Sequence, residues 1–228
     1  MIVRLADERD YERCYRFGNL VFRYAGTDIW FEQAIPKVYG PQAHMTHIHR
    51  IVTEDDGVTI RGLVGLLPGT LHTPAGALRT GYIGTVSVHP DTRGLGYMRR
   101  LMADRTADAR QQGIDLLVLG GQRQRYGYYG YGQGGQRWWF EISARCVRHA
   151  LAEADIEGIT FTAVEPGSAE ETVCAGLHRA RAVWMDRDWC GFVIACRSFG
   201  GQLWLARTAD GKPLGYVVCS EEGPARLS

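Results

Sequence analysis

Lysine is nearly absent: of the 26 basic residues in this 228-residue chain only Lys37 and Lys212 are lysine, and arginine supplies the rest. That bias reflects genome composition as readily as function. Charge of one sign is missing too. Lys and Arg number 26 and Asp and Glu 25, a formal net charge of +1, which gives no basic field to hold nucleic acid. No uninterrupted apolar run approaches the length of a membrane span. The opening residues Met1-Ile2-Val3-Arg4-Leu5-Ala6-Asp7-Glu8 carry charges where a secretory signal needs its apolar core. Cys14, Cys146, Cys174, Cys190, Cys196 and Cys219 form no Cys-x-x-Cys pair. They sit in or after apolar runs, which predicts reduced, buried thiols and a cytoplasmic protein.

Material for a core is plentiful, with 45% hydrophobic and an ordinary 22% charged residues. The length suits one large domain or one and a half smaller ones. The most informative stretch is Val86-Ser87-Val88-His89-Pro90-Asp91-Thr92-Arg93-Gly94-Leu95-Gly96-Tyr97-Met98. A β-type run ends at His89-Pro90, a turn follows, and a helical stripe of Met98, Leu101, Met102, Arg105 and Ala109 begins. Glycines at a helix entrance let backbone N–H groups approach an anion, and the helix dipole adds about half a positive charge there. Arg93 adds a full one. The stretch predicts a pocket for a phosphate-bearing cofactor; a ligand-free strand-to-helix turn is the alternative.

Tyr97-Met98 excludes a nucleotide P-loop, which needs Gly-Lys-Ser/Thr at the helix start. Arg99 stands where a dinucleotide fingerprint has its third small residue, which disfavours an oxidoreductase, and Asp115 gives it little support. Arg93-Gly94-Leu95-Gly96-Tyr97-Met98 instead resembles the Arg/Gln-x-x-Gly-x-Gly/Ala pyrophosphate loop of the GNAT N-acetyltransferase superfamily, which binds acetyl-coenzyme A. Met98 departs from the small final residue of that pattern.

Along the chain, Ile2 to Leu5 reads as a strand, and Asp7, with Asp10 three residues on, as the cap of a helix to about Tyr24. Ile29 to Ala34 predicts a second short helix, ended by Pro36 and Tyr39-Gly40-Pro41. His47 to Thr53 and Val58 to Leu67 form a hairpin about Glu54-Asp55-Asp56-Gly57. Pro68-Gly69 and Thr73-Pro74-Ala75-Gly76 punctuate the chain before a strand from Leu78 to Val88. The next helix ends at Gly113, and Ile114 to Leu119 reads as a strand buried on both faces. Trp138 to Ile142 reads as a further strand. This order is similar to the acetyltransferase fold, an α/β (α+β) architecture with a mixed, mostly antiparallel sheet flanked by helices.

Gly120-Gly121-Gln122-Arg123-Gln124-Arg125-Tyr126-Gly127-Tyr128-Tyr129-Gly130-Tyr131-Gly132 resembles the segment after strand five in that superfamily. It is most similar to the enhanced-intracellular-survival branch, whose tyrosine is the general acid. The resemblance carries that role onto Tyr126; a packed tyrosine is the alternative. It also implies that Val86, Ser87 and Val88 pair through their backbone with the pantetheine arm. Arg93, the amides of Gly94, Leu95, Gly96, Tyr97 and Met98, and Arg99 would take the pyrophosphate. The implied reaction is acetyl transfer to a primary amine on a small molecule or a protein lysine. A non-catalytic acyl-coenzyme A-binding or regulatory domain is the rival, because no general base is evident: Thr80 to Val88 holds no carboxylate.

Asp28, Trp30 and Glu32 fall in the region that borders the acceptor in such proteins, and carboxylates among aromatics suit a cationic amine. A solvated helix face is an equal alternative. His44, His47 and His49 find no matching third ligand, so no metal is expected. Tyr128, Tyr129 and Tyr131 read as a packed loop rather than a nucleobase platform.

After Gly158 the chain starts again. Leu5 to Glu12 lines up with Val164 to Glu171, Ser168-x-x-Glu171 is a capping box, and Gly211 to Val218 matches Ile60 to Leu67. The expectation is a catalytic domain over 1–150 and an incomplete second GNAT-like half over 151–228. A half-copy would leave a sheet edge near Leu214 to Val218, which predicts contact with the first domain, self-association through that edge, or a longer natural chain from which these residues derive.

Overall fold

The computed structural model describes residues 1–27, 30–41, 43, 45–135, 143–150 and 158–220. Strand β1 (Ile2–Leu5) leads into a 3-10 turn whose cap forms as its sequence predicts. The Asp7 carboxylate accepts from the Arg9 amide at 2.9 Å, and the Asp7 amide donates to Asp10 at 3.0 Å. Asp10 is buried and also accepts from Arg4 and Arg13, tying α1 (Tyr11–Tyr24) to β1. Two single-turn helices follow, α2 (Phe31–Ala34) and α3 (Pro36–Tyr39). The second helix stops just before Pro36, as expected, and Pro36 also begins the next: at the first helical position its missing N–H costs nothing.

The hairpin of β2 (His49–Thr53) and β3 (Ile60–Thr73) continues through a tight turn into β4 (Gly76–Val88). Pro68-Gly69 does not interrupt β3. Pro68 lies between Gly65, the last residue paired with β2, and Leu71, the first paired with β7 (Trp184–Met185). It thus faces a stretch with no strand beside it, where a missing N–H removes no ladder bond. Helix α4 (Tyr97–Gln111) ends at Gly113, whose φ is +63°. Strand β5 (Leu116–Val118) pairs with β4 in parallel. It was expected to be buried on both faces, but Leu116 and Val118 are exposed, because β5 is the edge strand among the described residues.

The main sheet runs β1-β2-β3-β4-β5, with β7 added beside β3. Antiparallel pairing dominates, and only β4–β5 is parallel. Its core packs Val52, Val64, Leu66 and Ile83 against Leu101 and Met102 of α4, the stripe read from the sequence. Beyond lie α5 (Arg123–Tyr126), α6 (Ala144–Ala150), β6 (Thr160–Ala163), α7 (Ala169–Arg179), α8 (Phe192–Cys196), β8 (Gly201–Arg207) and β9 (Pro213–Ser220). A second antiparallel sheet has the order β6-β8-β9 and its own core around Val164, Val193, Leu203 and Leu205. The β7–β3 pairing fastens this part to the first, and so do backbone bonds from the Asp186 amide to Thr70 and from the Phe199 amide to Ala34. The strand expected at Trp138 to Ile142 lies outside the described residues.

Candidate active site

Strands β4 and β5 are paired only from Thr80–Leu116 to Tyr82–Val118. Past Tyr82, β4 has no partner on that side among the described residues. The other side of β4 is irregular at the same level. Gly84 to Ser87 spans the length that Leu63 to Gly65 covers on β3, and Thr85 adopts a φ of +50°. One extra residue in a strand bends it and re-aims its side chains. Two spaces open where the strands part: a cavity of about 340 Å³ and a groove of about 670 Å³. Phe22, Val86 and Arg125 line both, so the two adjoin along these residues.

The groove is walled by the residues read from the sequence. Val86 and Val88, on one face of β4, line it together with Arg93, Gly94, Gly96, Tyr97, Met98 and Arg99. Gly94 and Gly96 have φ of +84° and +81°, a left-handed backbone that favours glycine. A Cβ on either would meet open space, so conformation rather than packing selects glycine here. Gly96 leads directly into α4, and no side chain caps that helix end. The first amides of a helix lack partners within it, so these are left for an anion. Arg93 is held 5.6 Å above the ring of Tyr24, which forms the opposite wall with Val21 and Ala25. Two expected residues stand apart by side chain. Leu95 points to the outer rim beside Arg100. Ser87 is buried on the other face of β4, its hydroxyl without a partner among the described residues.

Tyr126 lines the cavity, not the groove. Gly121 permits its placement: a Cβ there would stand 2.4 Å from Cε2 of the ring. Burial raises the phenol's pKa, and Arg125 beside it opposes the rise. Tyr131 packs edge-on, 6.4 Å away, and Tyr129 lines the groove. Tyr128 is 91% exposed, so the expected packed aromatic loop is only partly packed.

The α1–α3 region does border the cavity, through residues other than those anticipated. Trp30 is exposed, with the Arg23 guanidinium 4.5 Å from its ring. Glu32 turns toward Tyr15 of α1, whose pKa it raises by accepting the phenol's hydrogen bond. Neither lines the cavity, and Asp28 lies outside the described residues, as does His44. Phe22, Phe31, Ile35, Lys37, Val38 and Tyr39 form the wall instead. Phe199 joins them from beyond β6, in the left-handed backbone conformation with φ of +59°.

Beneath the bulge runs a buried polar chain that the sequence did not announce. Tyr39 Oη lies 2.7 Å from His49 Nε2 and 2.9 Å from Thr85 Oγ1, and His49 Nδ1 lies 3.0 Å from the Thr46 carbonyl. A carbonyl can only accept, so Nδ1 carries the imidazole proton and Nε2 accepts from Tyr39. The single phenolic proton is thereby committed, and Thr85 donates to Tyr39. Burial holds the His49 imidazole down to about 4 and pushes the Tyr39 phenol far up, so both are neutral near pH 7. His49 is fully buried, and this chain of hydrogen bonds explains how its ring nitrogens are satisfied there.

Among the described residues no group of His, Cys, Asp and Glu is arranged to hold a metal, and no helix is long and apolar enough to cross a membrane. All six cysteines are free; Cys146 is exposed, against the expectation of uniform burial, because α6 buries little of its surface.

A family described as an acetyltransferase (GNAT) domain matches residues 2–134. No curated protein matches the chain. Among solved structures, a GCN5-related N-acetyltransferase from Anabaena variabilis ATCC 29413 is similar at 15% identity and TM-score 0.65, over 95% of this chain and 53% of that one. A conserved protein of unknown function from Enterococcus faecalis V583, a probable N-acyltransferase, is similar at 14% identity and TM-score 0.62, over 95% and 54%. Eis1 from Mycobacterium abscessus is similar at 12% identity and TM-score 0.59, over 96% and 53%. These matches speak to fold alone, and the chain spans about half the length of each of the three.

Proposed function

Because the chain belongs to the GNAT acetyltransferase family, we propose that it transfers the acetyl group of acetyl-coenzyme A to a primary amine on a small molecule or a protein lysine. The observation that carries this reading is that groove and cavity adjoin and share Val86 and Arg125 as walls, beside the point where β4 and β5 part. A groove with an uncapped helix start and three arginines, Arg93, Arg99 and Arg125, suits a pyrophosphate. A cavity adjoining it, with a tyrosine in its wall, suits the acceptor of a group delivered along the groove.

Acetyl-coenzyme A supplies the activated acyl group. Arg93, Arg99 and the amides from Gly94 to Met98 hold the pyrophosphate by charge-assisted hydrogen bonds. Backbone groups of Val86 to Val88 align the pantetheine arm, and an N–H there polarises the thioester carbonyl. The amine nitrogen bonds to the carbonyl carbon as the carbon–sulfur bond breaks. Tyr126 protonates the departing thiolate, a modest transfer because thiols titrate near ~8.5 and phenols near ~10. No carboxylate of the described residues lines the cavity, so in this reading the ammonium loses its first proton to solvent before attack, and the second proton, shed by the nitrogen as the amide forms, restores the Tyr126 phenol.

Residues 1–150 form the catalytic unit in this reading, and residues 151–228 a partial second copy. The strand order β6-β8-β9 parallels β1-β2-β3, and a capped helix follows the first strand in each. Amine-dependent release of free thiol from acetyl-coenzyme A tests the activity. Cofactor binding without release by any amine would favour an acyl-coenzyme A-binding domain.

A further inference from the structure

The acceptor cavity is largely apolar, and among the described residues that line it the charged ones are all positive. Phe22, Phe31, Leu67 and Phe199 give it aromatic and aliphatic walls, and no carboxylate of the described residues faces it. Lys37 and Arg125 are its two cations. Arg125 also belongs to the groove, which leaves Lys37 to the cavity alone.

Lys37 is held without a counter-ion. No hydrogen bond or ion pair to its ammonium is formed among the described residues; Arg187, a second cation, acts on it together with the thiols of Cys190 and Cys196. Burial and Arg187 lower its pKa, as befits a cation left without an anion. Lys37 is half-buried, and a charge drawn partly out of water gains from a partner, so an unpaired one lining a small-molecule cavity suits a ligand's anion.

Phe199 adds a second, independent sign. A non-glycine residue in the left-handed region is uncommon and is sustained only where its surroundings hold it. Here the Phe199 amide donates to the Ala34 carbonyl at 2.7 Å, which keeps the ring at the cavity. Phe199 is 57% exposed and lines the cavity together with Phe22 and Phe31, so its ring can cover an apolar group that enters there. At about 340 Å³ the space is at the small end of ligand sites.

We propose that the acceptor is an amine with an apolar body and a carboxylate, an apolar α-amino acid or a close analogue, with Lys37 receiving the carboxylate and Phe199 covering the side chain. A polycationic amine is disfavoured, because it would bring further positive charge to an acid-free cavity already holding Lys37. This inference rests on the acetyltransferase reading for the word acceptor, but its test does not.

N-acetyl-L-phenylalanine, N-acetylphenethylamine and N1-acetylspermidine, titrated calorimetrically into the full chain without coenzyme A, probe the cavity independently of turnover. The wild type is expected to bind N-acetyl-L-phenylalanine roughly ten-fold or more tightly than N-acetylphenethylamine, which lacks the carboxylate. Lys37→Met should abolish that preference, and Phe199→Ala should weaken both aromatic ligands while keeping it. Tighter binding of N1-acetylspermidine, a preference unchanged in Lys37→Met, or no binding of the carboxylate ligand would overturn the proposal. Failure of the acetyltransferase reading shows separately, as absence of coenzyme A binding.

Discussion

Gly121 lies under the ring of Tyr126 so closely that a single methyl group at position 121 would stand 2.4 Å from it. The glycine therefore sets where the phenol sits relative to the cavity. If Tyr126 is the general acid, Tyr126→Phe lowers turnover by about 10²–10⁴-fold while coenzyme A affinity stays within a few-fold. Gly121→Ala should lower turnover as well, because it pushes the ring aside without removing the hydroxyl. Steady-state kinetics paired with calorimetry checks both. Full turnover in Tyr126→Phe would return this tyrosine to a packing role.

His49 gives a signature in acid. Its imidazole titrates near 4 in the fold, against about 6.5 in an unfolded chain. Between those values the unfolded chain binds a proton that the native one does not, so stability falls as pH falls through that window. The contribution is fully present above about 6.5 and amounts to roughly 3 kcal/mol over the window, at about 1.4 kcal/mol per pH unit. His178 is also shifted down by burial and acts in the same direction, so the comparison must be with a variant. In urea unfolding at pH 7.5 and 4.5, the advantage of wild type over His49→Gln should shrink by most of that amount. A difference that stays constant with pH would show that His49 takes up its proton in the fold as freely as in the unfolded chain.

The duplication reading predicts one cofactor site per chain. Residues from 158 to 220 contain no second Arg-x-x-Gly-x-Gly, and the edge of β9 has no strand beside it among the described residues. Coenzyme A stoichiometry measured with molar mass in solution should return one cofactor per chain. Two would refute the degenerate second copy.

Much of this was legible in the residues because it depends on local rules. Asp7 with Asp10, the glycines at 94 and 96, and the stripe from Met98 to Ala109 each act within one turn of helix or one loop. What escaped depends on contacts distant in sequence. The bulge at Thr85 follows from pairing with Leu63 to Gly65, and nothing near Thr85 but Gly84 hints at it. Phe199 reaches the cavity across the join to Ala34. Pro68 reads as a break unless the gap beside β3 is known. Trp30 and Glu32 were placed in the right region but on the wrong faces, because single-turn helices offer too few residues for a periodic pattern to orient them. Lys37 carried one signal: it is one of only two lysines in the chain.

The central claim is that the groove at Gly94, Gly96 and Arg93 holds coenzyme A, and a calorimetric titration tests it most directly. Wild type should bind about one equivalent. Arg93→Ala should weaken binding roughly ten-fold or more, the worth of one charge-assisted hydrogen bond at about 1.5–3 kcal/mol. Gly96→Val should weaken it further, since a β-branched residue is strained at a φ of +81° and the helix entrance must distort. Affinity unchanged in both variants, or no binding by the wild type, would contradict the account.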